Sequence, residues 1–121
     1  MVWKFNDDQP IYQQIISQIK ERIVAGEWKA GDKLKSVREL ALEAGVNPNT
    51  MQKALAELER EGLVYSQRTA GRFVSDSKEK TDKLQEEMTM ECIKTFVVQM
   101  EKMGYAKEQI IELLKKYISE N

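Results

Sequence analysis

Four polar side chains crowded into five positions, Asn49, Thr50, Gln52 and Lys53, are the residues of this sequence best suited to bind another molecule. Amides and hydroxyls form directional hydrogen bonds with the edges of nucleic-acid bases, and an ammonium group attracts phosphate. The same residue types also occur on helix faces that only meet solvent. The elements around this cluster therefore decide between a DNA-reading face and an ordinary solvated one.

The cluster opens a helix that has clear limits at both ends. Asn47 is a suitable N-cap, because its side-chain oxygen accepts a hydrogen bond from an unpaired backbone N–H of the first turn. Pro48 fits the first helical position, where its missing N–H would be unpaired anyway. Gly62 adopts the left-handed conformation that ends many helices. Between these limits, apolar residues at helical spacing predict one buried stripe of Met51, Ala54, Leu55 and Leu58.

A shorter helix precedes this one and is joined to it by a tight turn. Ser36 and Glu39 form the S-x-x-E pattern of a capping box, which predicts a helix start at Ser36. Gly45 ends this helix, and Val46 supplies the hydrophobic contact that often follows such an end. A short helix, a glycine turn and a helix with a polar first turn predict a helix-turn-helix, with residues 47–61 as its recognition helix.

The hydrophobic period changes after Gly62 and predicts a small hairpin. Residues 63–67 and 72–75 are β-prone, and residues 68–71 form the turn between them. Arg68 and Arg72 bracket that turn. Arginines at such a place can serve solubility alone, but beside a polar recognition helix we favour contacts with phosphates or the minor groove. A hairpin directly after a helix-turn-helix predicts a winged helix.

A further helix and two apolar anchors precede the helix-turn-helix. The helix is predicted to start at Pro10 and to end at Gly26, with a buried stripe of Ile11, Ile15, Ile16, Ile19, Ile23 and Val24. The segment Trp3–Phe5 is predicted to be extended. Trp28 and Leu34 are predicted to anchor the following loop to the core.

Composition excludes several classes of protein. The 121 residues include no histidine and one cysteine, so the commonest general base and the usual thiolate metal sites are missing. We therefore expect no enzymatic activity, no metal and no cofactor. No apolar run approaches the roughly 18 residues of a membrane span, and the first residues lack the apolar stretch of a signal peptide. A single cysteine excludes an internal disulfide, and we expect a cytoplasmic protein that does not bind membranes.

The charge balance gives no global basic signal. The formal net charge is −1, with 11 basic and 10 acidic residues in 1–75 and 8 basic and 10 acidic residues in 76–121. DNA binding therefore requires a local basic face, with acidic residues kept elsewhere. The near-neutral charge is also the main support for an alternative function, that of a winged-helix module that binds protein rather than DNA.

Residues 76–121 are predicted to form a helical tail after a domain of residues 1–75. Residues 76–82 are a polar linker or helix start, and Gly104 divides the rest into two amphipathic helices that cannot cover their own apolar faces. A two-fold homodimer is predicted to cover them, through Leu84, Met88, Ile93, Phe96, Val97, Met100, Ile110, Leu114 and Tyr117. The methionines could instead line a pocket for a small-molecule effector, although packing is their commoner use. Cys92 lies in the same pattern and is predicted to be buried.

With these elements in place, the chain resembles the DNA-binding domain of the GntR family of bacterial transcription regulators. The resemblance extends from about Pro10 to Val74 and consists of seven motifs in the family's order and spacing: P-I-Y-Q-Q-I at 10–15, G-x-W-x-x-G-x-x-L at 26–34, S-x-R-E-L-A at 36–41, V-N-P-N-T at 46–50, A-L-x-x-L at 54–58, E-G-L-V at 61–64 and G-x-F-V at 71–74.

The resemblance implies a dimeric transcription regulator, expected to be a repressor, that binds an inverted-repeat operator in double-stranded DNA. The N-P-N-T motif and the short tail are similar to the YtrA-type subgroup, whose members often lie beside ABC-transporter genes. The implied fold is mainly α with a small β-wing: a winged helix-turn-helix domain followed by a two-helix dimerisation segment.

The resemblance also implies which residues contact DNA, namely Ser36, Arg38, Asn47, Asn49, Thr50, Gln52, Lys53, Arg68 and Gly71. Lys35 and Arg72 join this set as neighbouring basic residues. Pro48 stands where other subgroups carry a base-reading side chain, so base readout is expected to rest on Asn49 and Gln52. Two positions depart from the family pattern, because Lys35 replaces a usual proline and Thr69 replaces the first glycine of the wing.

Overall fold

The computed structural model describes residues 2–121, and Met1 lies outside the described residues. Within that range the chain forms five helices and one two-stranded sheet, in the order α1 (Ile11–Val24), α2 (Val37–Ala44), α3 (Pro48–Arg60), β1 (Val64–Gln67), β2 (Gly71–Val74), α4 (Lys78–Lys102) and α5 (Lys107–Glu120). The predicted fold, mainly α with a small β-wing, is confirmed.

The start and end of α2 follow from local hydrogen bonds. The Ser36 hydroxyl accepts from the Glu39 N–H at 3.2 Å, and the Glu39 carboxylate accepts from the Ser36 N–H at 3.1 Å. This reciprocal capping box satisfies two backbone donors that the helix leaves unpaired. Gly45 then turns the chain at φ +72°, where a side chain would be strained. The Val46 N–H donates to the Ala41 carbonyl at 2.9 Å and completes the turn into α3.

The helix α3 begins and ends at the residues that the sequence indicated. The Asn47 Oδ1 accepts from the Asn49 N–H at 2.7 Å, and Pro48 occupies the first helical position. At the other end, Gly62 has φ +79°, and the Leu63 N–H donates to the Leu58 carbonyl at 3.0 Å. These contacts fix both ends of the helix that carries the polar cluster.

The core of the N-terminal part lies between α1, α2, α3 and the sheet. The stripe of α3 is fully buried, and the apolar face of α1 is buried at Ile15, Ile19 and Ile23, whereas Ile11 at its start is exposed. Each such side chain contributes about 1.5–3 kcal/mol by leaving water. The buried apolar residues before α4 are Ile15, Ile19, Ile23, Leu34, Leu40, Ala41, Met51, Ala54, Leu55, Leu58, Leu63, Val64 and Val74.

The two strands form an antiparallel hairpin in which Val64 lies opposite Val74 and Gln67 lies opposite Gly71. The loop after α1 adds a short third segment along β2. The Leu34 N–H donates to the Arg72 carbonyl at 2.9 Å, and the Val74 N–H donates to the Asp32 carbonyl at 2.8 Å. Leu34 is buried and Trp28 is half-buried in this loop. The wing is therefore attached to the core along β2 rather than projecting freely.

An extended arm lies along α1 before Pro10. Three side chains spaced four residues apart bind the backbone of every second arm residue: Gln14 binds Asn6, Gln18 binds Lys4, and Arg22 binds Val2. Four residues of a helix rise about 6 Å, and two residues of an extended chain span about 6.6 Å. The spacing of the three side chains along α1 therefore matches the spacing of their partners along the arm. The arm brings Trp3 to Arg22, whose guanidinium lies 3.8 Å from the centre of the indole ring.

The chain divides into two compact units, the first of which extends to Leu84, while the second covers Gln85–Asn121. Leu84 is buried in the first unit and Ile110 is buried in the second. Because their side chains are already covered within one chain, these two of the nine suggested dimerisation residues are not available to a partner. The prediction that Cys92 is buried is wrong, since this residue is exposed. Its neighbours in the chain, from Met90 to Phe96, are exposed as well, so no local core forms around it.

Candidate nucleic-acid interface

The candidate DNA-binding residues lie on three elements, namely the start of α2, the first turns of α3, and the wing. Most of these side chains are exposed, whereas Thr50 and Arg72 are half-buried. The structure joins two of the elements directly, because the Arg72 Nη1 donates to the Gln52 Oε1 at 3.2 Å. The wing and the candidate base-reading helix therefore share a hydrogen bond within the proposed site.

Arg72 also forms an ion pair on the side away from Gln52. Its Nε donates to the Glu59 Oε1 at 3.2 Å, and the Ser66 hydroxyl donates to the same carboxylate oxygen at 2.7 Å. These hydrogen bonds, first from Ser66 and then from Arg72, lower the pKa of Glu59. The carboxylate therefore remains the charged partner of Arg72 to a lower pH than an isolated glutamate would.

Lys35 is engaged in a comparable way by Glu43 of α2, which the arm also contacts. Its ammonium lies 2.7 Å from the Glu43 carboxylate, which also accepts from the Trp3 indole N–H at 3.1 Å. The hydrogen bond to Glu43 raises the pKa of Lys35, and the same bond, with that from Trp3, lowers the pKa of Glu43. Lys35 remains exposed, so it can reach a phosphate only by leaving or sharing Glu43.

Two further candidate residues, Lys53 and Asn47, are held by contacts with α1 and with the start of α3. The Lys53 ammonium lies 3.7 Å from the ring centre of Tyr12, a cation–π contact that directs this flexible side chain. The oxygen of Asn47 is engaged in capping α3, which leaves its amide N–H groups for other partners. Gly71 begins β2 at φ +107°, a conformation that a side chain would strain.

The charges explain how a near-neutral chain can present a basic face. The acidic side chains nearest the candidate residues are engaged: Glu39 in the capping box, Glu43 with Lys35, and Glu59 with Arg72. Arg38 at the start of α2, Lys53 on α3 and Arg68 at the wing are all exposed cations. None of these three cations forms an ion pair within residues 2–121, so they are the residues available to supply the local basic face that DNA binding requires.

We expect Arg38→Ala to weaken binding to specific and random DNA alike. If Arg38 contacts one phosphate, its loss should reduce the slope of log affinity against log salt by about one unit. The slope is measured by DNA titrations at several salt concentrations. Arg60→Ala is the matched control, because Arg60 lies at the far end of α3 and pairs with Glu57. An unchanged slope for Arg38→Ala would remove it from the phosphate contacts.

Three residues outside the predicted set support the candidate site, namely Tyr12, Glu43 and Glu59. Glu59 has a sequence signal in retrospect, since it follows Gln52 by seven positions and thus lies on the same face of α3. The sequence gives no such signal for Tyr12 and Glu43, because their contacts depend on how α1 and the arm pack against the helix-turn-helix.

Within residues 2–121, no group of three or more His, Cys, Asp or Glu side chains is arranged to hold a metal ion. None of the helices in that range has an apolar stretch sufficient to cross a bilayer.

Comparison with known proteins identifies the family. A sequence model described as bacterial regulatory proteins, gntR family, matches residues 11–74, which include α1, α2, α3 and both strands. The chain belongs to the GntR family. It is 43% identical over 109 residues to the HTH-type transcriptional repressor YtrA of Bacillus subtilis, covering 88% of this chain and 83% of YtrA. The predicted family and the likeness to YtrA are confirmed.

Solved structures agree with this assignment. A GntR family transcriptional regulator from Listeria monocytogenes is 42% identical, covers 93% of this chain and 98% of its own, and superposes with a TM-score of 0.85. The AraR(DBD) in complex with operator ORX1 is 28% identical, with a TM-score of 0.56, and covers 62% of this chain and 99% of its own. The winged-helix fold is therefore shared with a domain whose structure contains operator DNA.

Proposed function

We propose that this GntR-family chain is a transcription regulator that represses its target genes by binding an inverted-repeat operator as a homodimer. One observation carries the proposal. The first turns of α3 expose the amides of Asn49 and Gln52, and the cations Lys53, on α3, and Arg72, on β2, lie beside them. Amides that face outward from a helix of this type can reach base edges in the major groove, while the cations meet phosphates.

The second unit supports the proposed homodimer. Its exposed apolar side chains include Ile93, Phe96, Ile111, Leu114 and Tyr117. Soluble monomers rarely expose a large contiguous apolar patch, and a two-fold dimer covers such residues with their own copies. The dimer would set two copies of α3 about one DNA turn apart, roughly 34 Å, or a multiple of that distance.

The direction of regulation and the target genes rest on likeness. YtrA is named a repressor, and its similarity extends beyond the winged-helix domain, because the alignment covers 88% of this chain and 83% of YtrA. We therefore infer repression. Transporter genes are the expected targets, on the basis of the resemblance to the YtrA-type subgroup.

We expect Asn49→Ala to reduce the affinity for the selected DNA site by about 1–3 kcal/mol and to relax the base preference at one position. Binding to random DNA should change little, because phosphate contacts dominate it. The site itself is obtained by selecting bound duplexes from a randomised library. Gln99→Ala, an exposed amide of α4, is the matched control.

The same selection separates the two functions that the sequence left open. A regulator enriches one sequence with two-fold symmetry. A winged-helix module that binds only protein enriches none, and that outcome would overturn the proposed function. Unchanged base preferences in Asn49→Ala would remove this residue from base readout.

A further inference from the structure

The orientation of the Gln52 amide is set by the chemistry of its partner. Arginine carries five N–H donors and no acceptor, so only the amide oxygen can face it. The Gln52 Oε1 accordingly accepts from the Arg72 Nη1 at 3.2 Å. The two N–H donors of the same amide therefore point away from the guanidinium. A glutamine on an exposed helix face would otherwise present either end.

Arg72 is itself held in place by the rest of the wing. Its side chain is 20% exposed and pairs with Glu59, which also accepts from Ser66 on the opposite strand. Its carbonyl accepts from the Leu34 N–H at 2.9 Å, so its backbone is fixed as well. Ser66 and Arg72 are directly paired across the hairpin. Glu59 thus orients Arg72, and Arg72 orients Gln52.

The orientation that Arg72 imposes on the Gln52 amide affects which base Gln52 can recognise. A free glutamine binds adenine with both ends of the amide, accepting from N6 and donating to N7. When Arg72 engages the oxygen, one of its two lone pairs is taken. The guanidinium beside it then competes with the adenine N6 amino group for that oxygen and repels it, because both groups are donors with positive charge on their hydrogens. Guanine presents two acceptors, O6 and N7, and these suit the free N–H donors of Gln52 and the remaining donors of Arg72.

We propose that Arg72, anchored by Glu59, is a specificity-determining residue that turns Gln52 from an adenine reader into a reader of guanine. This inference rests on the proposed DNA-binding function. It assigns to the wing an effect on base readout that is exerted through another side chain. Arg72 therefore acts in part as a positioning residue, and its removal should alter base preference as well as affinity.

The test is a selection from a library of randomised double-stranded DNA with the full-length protein and four variants. Gln52→Ala identifies the base pair that Gln52 reads, because the preference there should be lost. At that base pair we expect the wild-type protein to favour guanine over adenine. Arg72→Ala should shift the ratio toward adenine by at least about fivefold, the lower limit for a bidentate contact. Arg72→Thr should do the same while keeping a strand-forming residue in β2.

Arg68→Ala is the matched control, because it removes the same charge from the exposed wing without touching Gln52. It should lower affinity and leave the ratio of guanine to adenine unchanged. This inference alone would be overturned if the ratio of guanine to adenine were the same in the wild-type protein, Arg72→Ala and Arg72→Thr. Failure of the wild-type protein to enrich any sequence would instead overturn the proposed function, and the inference with it.

Discussion

Replacement of Phe96 by glutamate should convert the protein to a monomer and reduce its affinity for the selected operator by about 10²–10⁴-fold. Phe96 is 36% exposed on α4, and Ile93, one turn before it, is 48% exposed. In the proposed dimer both side chains are covered by the partner chain, where an unpaired carboxylate is strongly unfavourable. In a monomer, no second copy of α3 is tethered beside the adjacent half-site, so the gain in affinity from binding both half-sites is lost.

Sedimentation of the variant and titration onto the full operator measure both parts of this expectation. Lys94→Glu is the matched control, because Lys94 lies two residues before Phe96 and therefore on the far side of α4. It introduces the same side chain but should leave the dimer intact. A wild-type protein that is monomeric at tens of micromolar, or a Phe96→Glu variant that stays dimeric, would contradict the proposed role of the tail.

Leu55→Ala should destabilise the first unit by about 2–5 kcal/mol, a large part of the 5–15 kcal/mol typical of a folded domain. Leu55 lies on the inward face of α3 and is 1% exposed. Its truncation removes buried apolar surface and leaves a cavity behind the exposed face of α3 that is the candidate for base readout. The resulting loss of DNA binding would reflect unfolding rather than a missing contact.

Urea unfolding followed by tryptophan fluorescence measures this change. Both tryptophans, Trp3 and Trp28, belong to the first unit, so the signal reports on that unit. Leu42→Ala is the matched control, since Leu42 on α2 is 85% exposed and should shift the free energy of unfolding by less than about 0.5 kcal/mol. Equal effects of the two substitutions would show that the packing of α3 differs from that described.

Features that depend on local sequence were predictable. The capping box at Ser36, the turn at Gly45 and the N-cap at Asn47 each involve residues within a few positions of one another, and the structure contains all three. The alternation from helical to strand period after Gly62 also placed the hairpin. Such features follow from backbone chemistry and short-range spacing, which a sequence displays directly.

Features that depend on packing between distant segments were not predictable. The ion pair of Glu59 with Arg72 needs the register of the hairpin against α3, and the contact of Trp3 with Glu43 needs the path of the arm along α1. The prediction that Cys92 is buried was wrong for a related reason. An apolar pattern predicts that a helix face needs a cover, and it does not say whether the same chain provides it.

The most direct test of the proposed function is the ratio of two affinities of the wild-type protein at about 150 mM salt. One is measured on the selected inverted repeat, and the other is measured on a duplex of the same length and composition with the sequence scrambled. Specific regulators bind their sites at least about 10³-fold more tightly than other DNA, and we expect a ratio of that size. Equal affinities for the two duplexes would contradict sequence-specific DNA binding by this protein.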